Sequence, residues 1–394
     1  MATPDLTIES LRPGDEEIQW DLGGQAFGGT DPFDPARPRV SADRAVAAYD
    51  GDRLAGQVVT IDFLMHWGEA PIPCGGVSGV VVRPEDRGRG LARAMLRESF
   101  TRMRSRGEII AALYPTTATL YRSVGFEIVG SHDWRKVPLD LVATEPASAL
   151  RWRRVEFGDP AIRTVYESMA ATLDGWFVPG DTWWGRTIHR CEHEKGKNRY
   201  AYVGARDGVD VAAVIYRYDD SKDRLYELGV DLLAGVDADG LAAALGFLAG
   251  NGTTAGHLET TLPFELLALH VPNVQHTSVT GDWPWMLRLV DVAGAFGARP
   301  VPRSVSGRVE LDISDETIPA NAGAHVLEVA DGSAQLTPGG SGRVHASAND
   351  LARVYAGNDV GLIHRNGRLA GATGDDLALL AAACVSRPTM PFFF

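Results

Sequence analysis

The sequence predicts a three-part mixed architecture: two α/β units built on mixed sheets in tandem, followed by a C-terminal α+β module. Three observations carry this expectation. At 394 residues the chain exceeds what one core usually supports, given ~100–200 residues per domain. Strand-like and helix-like runs alternate through residues 1 to about 140, and a similar order of helix, hairpin, strand and helix returns after residue 150. Between them the Pro- and Ala-bearing stretch "PLDLVATEPASAL" breaks the pattern and reads as a linker. The expected divisions are 1–145, 146–283 and 284–394.

In the first unit "LTIESLRP" reads as a strand and "DEEIQWDLGGQAF" as the start of a helix. "RAVAAYDGDRLAGQVVTIDFLM" is a hairpin, because Asp50-Gly51 is a turn signal between two strand-like runs. "VSGVVVRP" is a further strand, and "GLARAMLRESFTRMRSRG" places apolar residues at helical spacing with Gly107 as its stop. "IIAALYP" is a strand, "ATLYRSV" a short helix and "GFEIVGSHDWRKVPL" a closing strand region. The second unit offers a helix in "AIRTVYESMAATLDG", a hairpin in "RYAYVGARDGVDVAAVIYRYDD", a strand in "RLYELGVDLLAG" and a helix in "DADGLAAALGFLAGNG". The last unit starts near "PWMLRLVDVAGAFGARP" and continues through "GRVELDISD" and "GRVHASANDLARVYAGN".

Composition narrows the function classes. Hydrophobic residues make up 45% and charged residues 23% of the chain, ordinary globular usage that excludes disorder. A formal charge of −13 argues against a nucleic-acid partner, which needs clustered Lys and Arg, and mildly favours cationic small molecules. Cys74, Cys191 and Cys384 are widely spaced with no CxxC pair, so neither a disulfide framework nor a zinc knuckle is expected. With no signal-peptide pattern at "MATPDLTIESLRPGDEE" and no ~20-residue apolar run, a cytoplasmic protein without a membrane span is expected.

Chemistry concentrates in "VSGVVVRPEDRGRGLARAML". The β-branched run Val80, Val81, Val82 leads through Arg83-Pro84 into Arg87, Gly88, Arg89, Gly90, Leu91 and Ala92, and a helix follows. Glycines at such a junction let backbone N–H groups close on an anion, and the helix N-terminus adds partial positive charge. Arg87 and Arg89 are expected to add donors for phosphate oxygens. The run is neither GxGxxG nor a Walker A loop. It fits R-x-x-G-x-A, and Tyr121 to Phe126 adds a Y-x-x-x-G-F run after the "IIAALYP" strand.

Those two motifs, in that order and context, resemble the GNAT superfamily of acyl-CoA-dependent N-acetyltransferases over residues 1 to about 140. Chain length, the two related units, the C-terminal α+β module and the ending "MPFFF" together resemble the Eis (enhanced intracellular survival) acetyltransferases of actinobacteria. The resemblance implies an N-terminal GNAT domain, a central GNAT-like domain and a sterol-carrier-protein-like C-terminal domain. It implies acetyl-CoA as cosubstrate, no metal, an aminoglycoside or other polycationic amine as acceptor, and a homohexamer. It also implies Tyr121 as acid and the C-terminal carboxylate, on Phe394, as base. Coenzyme A contacts carry over to Val80, Val81 and Val82, to Gly88, Arg89, Gly90, Leu91, Ala92 and Arg93, and to Thr116 and Thr117. The acceptor pocket does not carry over: after Phe27 come Gly28-Gly29, and the nearest carboxylates are Asp31 and Asp34.

The chemistry suits those roles. Near pH 7 an alkylammonium (reference pKa ~10.4) must lose a proton and a thiolate (~8.5) must gain one. A tyrosine can donate, and a carboxylate partly desolvated by Phe392, Phe393 and Phe394 becomes a better base. Tyr121 could equally be a packed core tyrosine, and Phe394 a packing anchor. His189 and His193 in "HRCEHE" lack a third metal ligand at matching spacing, and the aromatics of "DGWFVPGDTWWGR" are expected to fill core. Two other functions stay open: acetylation of protein lysines, and non-catalytic acyl-CoA or lipid binding.

Overall fold

The computed structural model describes residues 6–29, 31–142, 150–194, 198–221 and 225–394. The first unit runs β1 (Leu6–Ser10), α1 (Glu16–Phe27), β2 (Ala45–Asp50), β3 (Arg53–Trp67), β4 (Ala70–Val82), α2 (Leu91–Ser105), β5 (Ile110–Leu113), α3 (Ala118–Arg122) and β6 (Glu127–Pro138). This is the order the sequence patterns imply. Gly51, at φ 61°, supplies the turn between β2 and β3, and Gly107, at φ 77°, follows the end of α2. The apolar face of α2, formed by Leu91, Met95, Leu96, Phe100 and Met103, packs on Val46, Ala48, Ala55 and Val58 of the hairpin.

The central unit runs β7 (Arg151–Val155), α4 (Pro160–Ala170), β8 (Phe177–Pro179), α5 (Asp181–His193), β9 (Arg199–Arg206), β10 (Val209–Asp219), β11 (Tyr226–Gly235), α6 (Ala238–Ala249), β12 (Ala255–Thr260) and α7 (Phe264–His270). Asp159 and Asp237 accept backbone N–H bonds at the starts of α4 and α6, which fixes where those helices begin. Next come β13 (Ser278–Leu289), α8 (Val292–Ala298), β14 (Gly307–Ser314), β15 (Gly323–Ala330), β16 (Ser333–Pro338), β17 (Val344–Ser347), α9 (Ala348–Tyr355), α10 (Val360–Arg365) and α11 (Gly374–Ala383).

The two α/β units share one sheet, ordered β1-β2-β3-β4-β5-β13-β6-β12-β11-β10-β9-β7, with β8 added to β3. Strand β13 is inserted between β5 and β6, antiparallel to both. Its residues Trp285 to Leu289 are all fully buried, the mark of a strand covered on both faces. The run "PWMLRLV", which sequence pattern assigns to the last unit, therefore completes the first unit's sheet. The expected division at 283/284 falls inside β13, and the one at 145/146 lies outside the described residues. The C-terminal module has its own sheet, ordered β16-β15-β14-β17, with β14 and β17 parallel. A buried ion pair, Arg288 to Asp315 at 2.5 Å, ties β13 to this module. Among the described residues no helix is long and apolar enough to cross a membrane.

Candidate active site

The site begins where two neighbouring strands part. Parallel pairing of β4 with β5 covers only Cys74–Gly76 against Ile110–Ala112. Beyond that point Val77 to Val82 stay paired with β3 alone among the described residues, so one edge of β4 offers open backbone groups. The β3–β4 register slips between Gln57↔Val81 and Val59↔Ser78, which makes Gly79-Val80 a bulge, with Gly79 at φ 57°. The bulge borders a cleft of about 740 Å3 that Val77, Ser78, Gly79 and Val80 help to line.

At the far end of β4 lies the glycine turn. Gly88 and Gly90 have φ 78° and 77°, and a Cβ on either would meet nothing within 4 Å. Glycine is needed there for conformation, and the space beside the turn is open. Gly90 caps α2 with no side-chain bond, leaving the helix's first N–H groups to an outside acceptor. Arg89 is already engaged: it donates to Asp86 at 2.6 Å, and Arg53 grips the same buried carboxylate at 2.7 Å. These arginines, Arg53 foremost, hold the Asp86 carboxyl below its ordinary range. Arg87 is exposed, with Nε donating to the Val82 carbonyl at 3.4 Å, and Arg93 bridges to Ser123 at 2.9 Å. Leu91 is buried in the α2 core. The turn is thus braced by Arg89 and presents backbone donors, an arrangement suited to a diphosphate.

Tyr121 and the chain's last residues meet in the cleft. Tyr121 is 5% exposed; burial pushes its phenol up to about 12, opposed by a hydrogen bond from Thr116. The tail is held carbonyl by carbonyl. His132 Nδ1 donates to the Met390 carbonyl at 2.6 Å, Thr261 to that of Pro391 at 3.0 Å and Tyr114 to that of Phe392 at 2.8 Å. The Phe392 ring lies against Tyr166, Phe177 and Trp183, Phe393 stacks on Tyr114 at 4.1 Å, and Phe394 meets Phe63 at 4.8 Å and Phe177 at 5.6 Å. Gly76 makes room for Phe63 and for the last ring, since a Cβ there would collide with the Phe63 ring and lie 3.0 Å from that of Phe394. The tryptophans of "DGWFVPGDTWWGR" are core, as expected, and Trp183 also forms the Phe392 socket.

The opposite wall is built from α1, the loop 31–40 and α5, and carries Arg37, Arg39 and Arg186. Glu16 and Asp31 line the same cleft. His189 Nε2 pairs with Asp34 at 2.8 Å and its ring stacks on His193 at 4.3 Å, pinning the loop to α5.

A family profile described as "Acetyltransferase (GNAT) domain" matches residues 7–129, and one described as "Sterol carrier protein domain" matches residues 292–393. "N-acetyltransferase Eis" of Mycobacterium tuberculosis is 26% identical over 358 residues, covering 85% of this chain and 84% of that protein. The first unit carries a GNAT acetyltransferase domain, and the chain is similar over 85% of its length to an Eis N-acetyltransferase. An "Uncharacterized N-acetyltransferase" of Streptomyces avermitilis is also 26% identical, over 341 residues, 80% of this chain and 81% of that one. Two crystal structures share the fold along the whole length. One is a GCN5-related N-acetyltransferase from Anabaena variabilis, with TM-score 0.89, 22% identity and 99% and 100% coverage. The other is Eis1 from Mycobacterium abscessus, with TM-score 0.83, 21% identity and the same coverage.

In this acetyltransferase the cleft gathers Val80, Thr116, Tyr121 and Phe394 from the residues singled out in the sequence. Val81, Val82, Thr117 and the turn from Arg87 to Arg93 do not line it; the turn occupies the start of α2, beyond the bulge. Sequence reasoning missed Tyr114, Trp283 and the arginine wall. "FDPARPR" held a signal, two arginines in a proline-stiffened loop, but its partner Arg186 lies almost 150 residues away.

Proposed function

We propose that the chain transfers the acetyl group of acetyl-CoA to the amine of a small molecule, with Tyr121 as general acid and the Phe394 carboxylate as general base. In the reaction the amine nitrogen bonds to the thioester carbonyl carbon, the carbon–sulfur bond breaks, one amine proton leaves and the departing sulfur takes up a proton. The parting of β4 from β5 and the uncapped start of α2 suit an extended thiol ester with a diphosphate at its far end. Backbone N–H groups at the Gly79-Val80 bulge are suited to the carbonyl oxygen. A phenol raised to about 12 stays protonated at neutral pH and can give its proton to the sulfur while Thr116 donates to its oxygen. The observation that carries this reading is the convergence of Tyr121, the β4 bulge and the Phe394 ring in one cleft. Phe394 sits among the rings of Phe63, Tyr114 and Phe177.

The test is thiol release from acetyl-CoA with a panel of amines, each product checked by mass for a single added acetyl group. Acetyl-CoA that binds but yields no thiol with any amine overturns the proposal.

A further inference from the structure

We propose that the acceptor is an amine that also carries an anionic group, a carboxylate or a phosphate, which Arg37, Arg39 and Arg186 hold while the amine reaches the Tyr121 end of the cleft. This rests on the acetyl-transfer reading above and names its substrate class. All three arginines line the same cleft as Tyr121 and Phe394. Their hydrogen bonds go to neutral carbonyls: Arg186 Nε to Pro38 at 3.0 Å, and Arg39 to Asp34 at 2.6 Å and Pro35 at 3.3 Å. Arg37 lies over the Trp20 ring at 4.6 Å and Arg39 over Phe33 at 4.4 Å. Among the described residues none of the three guanidinium groups has a carboxylate oxygen within 4.0 Å. Arg186 is pulled down to about 10, first by burial and then by the charges of Arg37 and Arg39.

The cluster is built. Besides Asp34 to His189, Pro38 packs so close to α5 that a Cβ on Gly185 would lie 2.9 Å from it, and Arg186 bonds the Pro38 carbonyl. Loop and helix are therefore fixed together with three like charges converging, an arrangement that is unfavourable in a partly dry cleft until an anion enters. The acids that share the lining are placed otherwise. Glu16 accepts from the Gly14 N–H at 3.0 Å and Asp31 is exposed, acting on Arg37 only at longer range. The diphosphate does not account for the arginines, because the Gly88–Gly90 turn suited to it lies outside the cleft lining. Planar guanidinium groups bind carboxylate or phosphate through two N–H groups at once. A polyamine would set its own charges against this wall.

The test measures kcat/KM by thiol release with matched acceptors: 4-aminobutyrate against 4-aminobutyramide, phosphoethanolamine against ethanolamine, and spermidine. The anionic member of at least one pair should exceed its neutral partner by about 10- to 100-fold, spermidine should be no better than the neutral amines, and the pair that responds identifies the anion. Arg186→Met should lower kcat/KM for that anionic acceptor by about 10- to 100-fold with the Kd of acetyl-CoA unchanged. If Arg186→Met does not fold, Arg37→Gln, on the half-buried loop, should give the same direction. Neutral or cationic acceptors turned over as fast as anionic ones, or anionic turnover untouched in the arginine variants, overturns this inference alone. No thiol from any acceptor overturns the acetyl-transfer reading and this inference with it.

Discussion

Replacing Tyr121 by Phe removes one oxygen from a ring that otherwise stays packed in an edge contact with Phe126 at 6.1 Å. Thr116 is exposed, so its hydroxyl can turn to water, and stability should change by less than ~1 kcal/mol. The rate should change far more. A positioned general acid contributes ~10²–10⁴-fold, or about 3–5 kcal/mol of barrier, so kcat should fall by that factor with the Kd of acetyl-CoA unchanged. The pH profile gives an independent check. The acid works in its protonated form, and burial raises Tyr121 to about 12. Its activity should therefore hold across the neutral and alkaline range and be lost only as pH rises through about 12, whereas an unshifted phenol would lose it through ~10. The assay is thiol release at saturating acetyl-CoA from pH ~6 to ~11, for parent and variant, beside thermal melts. A variant within about threefold of the parent kcat, well short of what a general acid supplies, removes Tyr121 from the acid role. A parent limb centred near pH ~10 that vanishes in Tyr121→Phe would instead show that burial does not raise this phenol.

Converting the Phe394 carboxylate to an amide by ligation of a synthetic tail removes a charge and keeps all three rings; kcat should fall ~10²-fold or more while the melting temperature stays put, and a fully active amide would exclude the carboxylate as base. Gly125→Ala should destabilise by more than ~1 kcal/mol in urea titration, because the residue sits at φ 89° and a Cβ would collide with the buried Arg288 guanidinium; an unchanged midpoint would refute that account of the motif glycine. His132 is held neutral: its Nδ1–H donates to Met390, its Nε2 accepts from Trp134 at 2.6 Å, and burial keeps it below the ordinary imidazole value. Because the folded-state value lies below the unfolded ~6.5, the tail's seat is fully stable above that pH and weakens as pH falls below it. Carboxypeptidase should then release phenylalanine faster at pH ~5.5 than at ~7.5, relative to a free peptide control, and an equal ratio would refute the latch.

What was legible in the sequence had local causes. The hairpin turn at Gly51, the stop at Gly107 and the amphipathic face of α2 are each set within a few residues of themselves, and each is found where the pattern places it. The glycine turn before α2 was legible for the same reason, because a strand, a left-handed glycine and a helix start form one continuous segment. What was not legible depends on partners far along the chain. Strand β13 reads as an apolar run that could open any unit; only the gap between β5 and β6, more than 140 residues earlier, says where it belongs. Arg89 reads as a phosphate donor until it is seen bonded to Asp86, a carboxylate that Arg53 also grips.

The same division explains why reaction type was readable and the acceptor was not. In the proposed mechanism the first unit supplies the open β4 edge, the glycine turn and Tyr121, and only the base comes from the last unit. The proposed acceptor wall is assembled across units, with Arg37 and Arg39 from a loop of the first, Arg186 from a helix of the second, and the tail, clamped by Tyr114, His132 and Thr261. Substitutions in the loop or on α5 can therefore change what enters the cleft without disturbing the strand edge or the turn. A net charge of −13 sums the whole surface, whereas the proposed acceptor recognition rests on three guanidinium groups whose hydrogen bonds go to carbonyls. Charges within the cleft act on a bound acceptor more strongly than distant surface carboxylates do, since the screening length is about 8–10 Å.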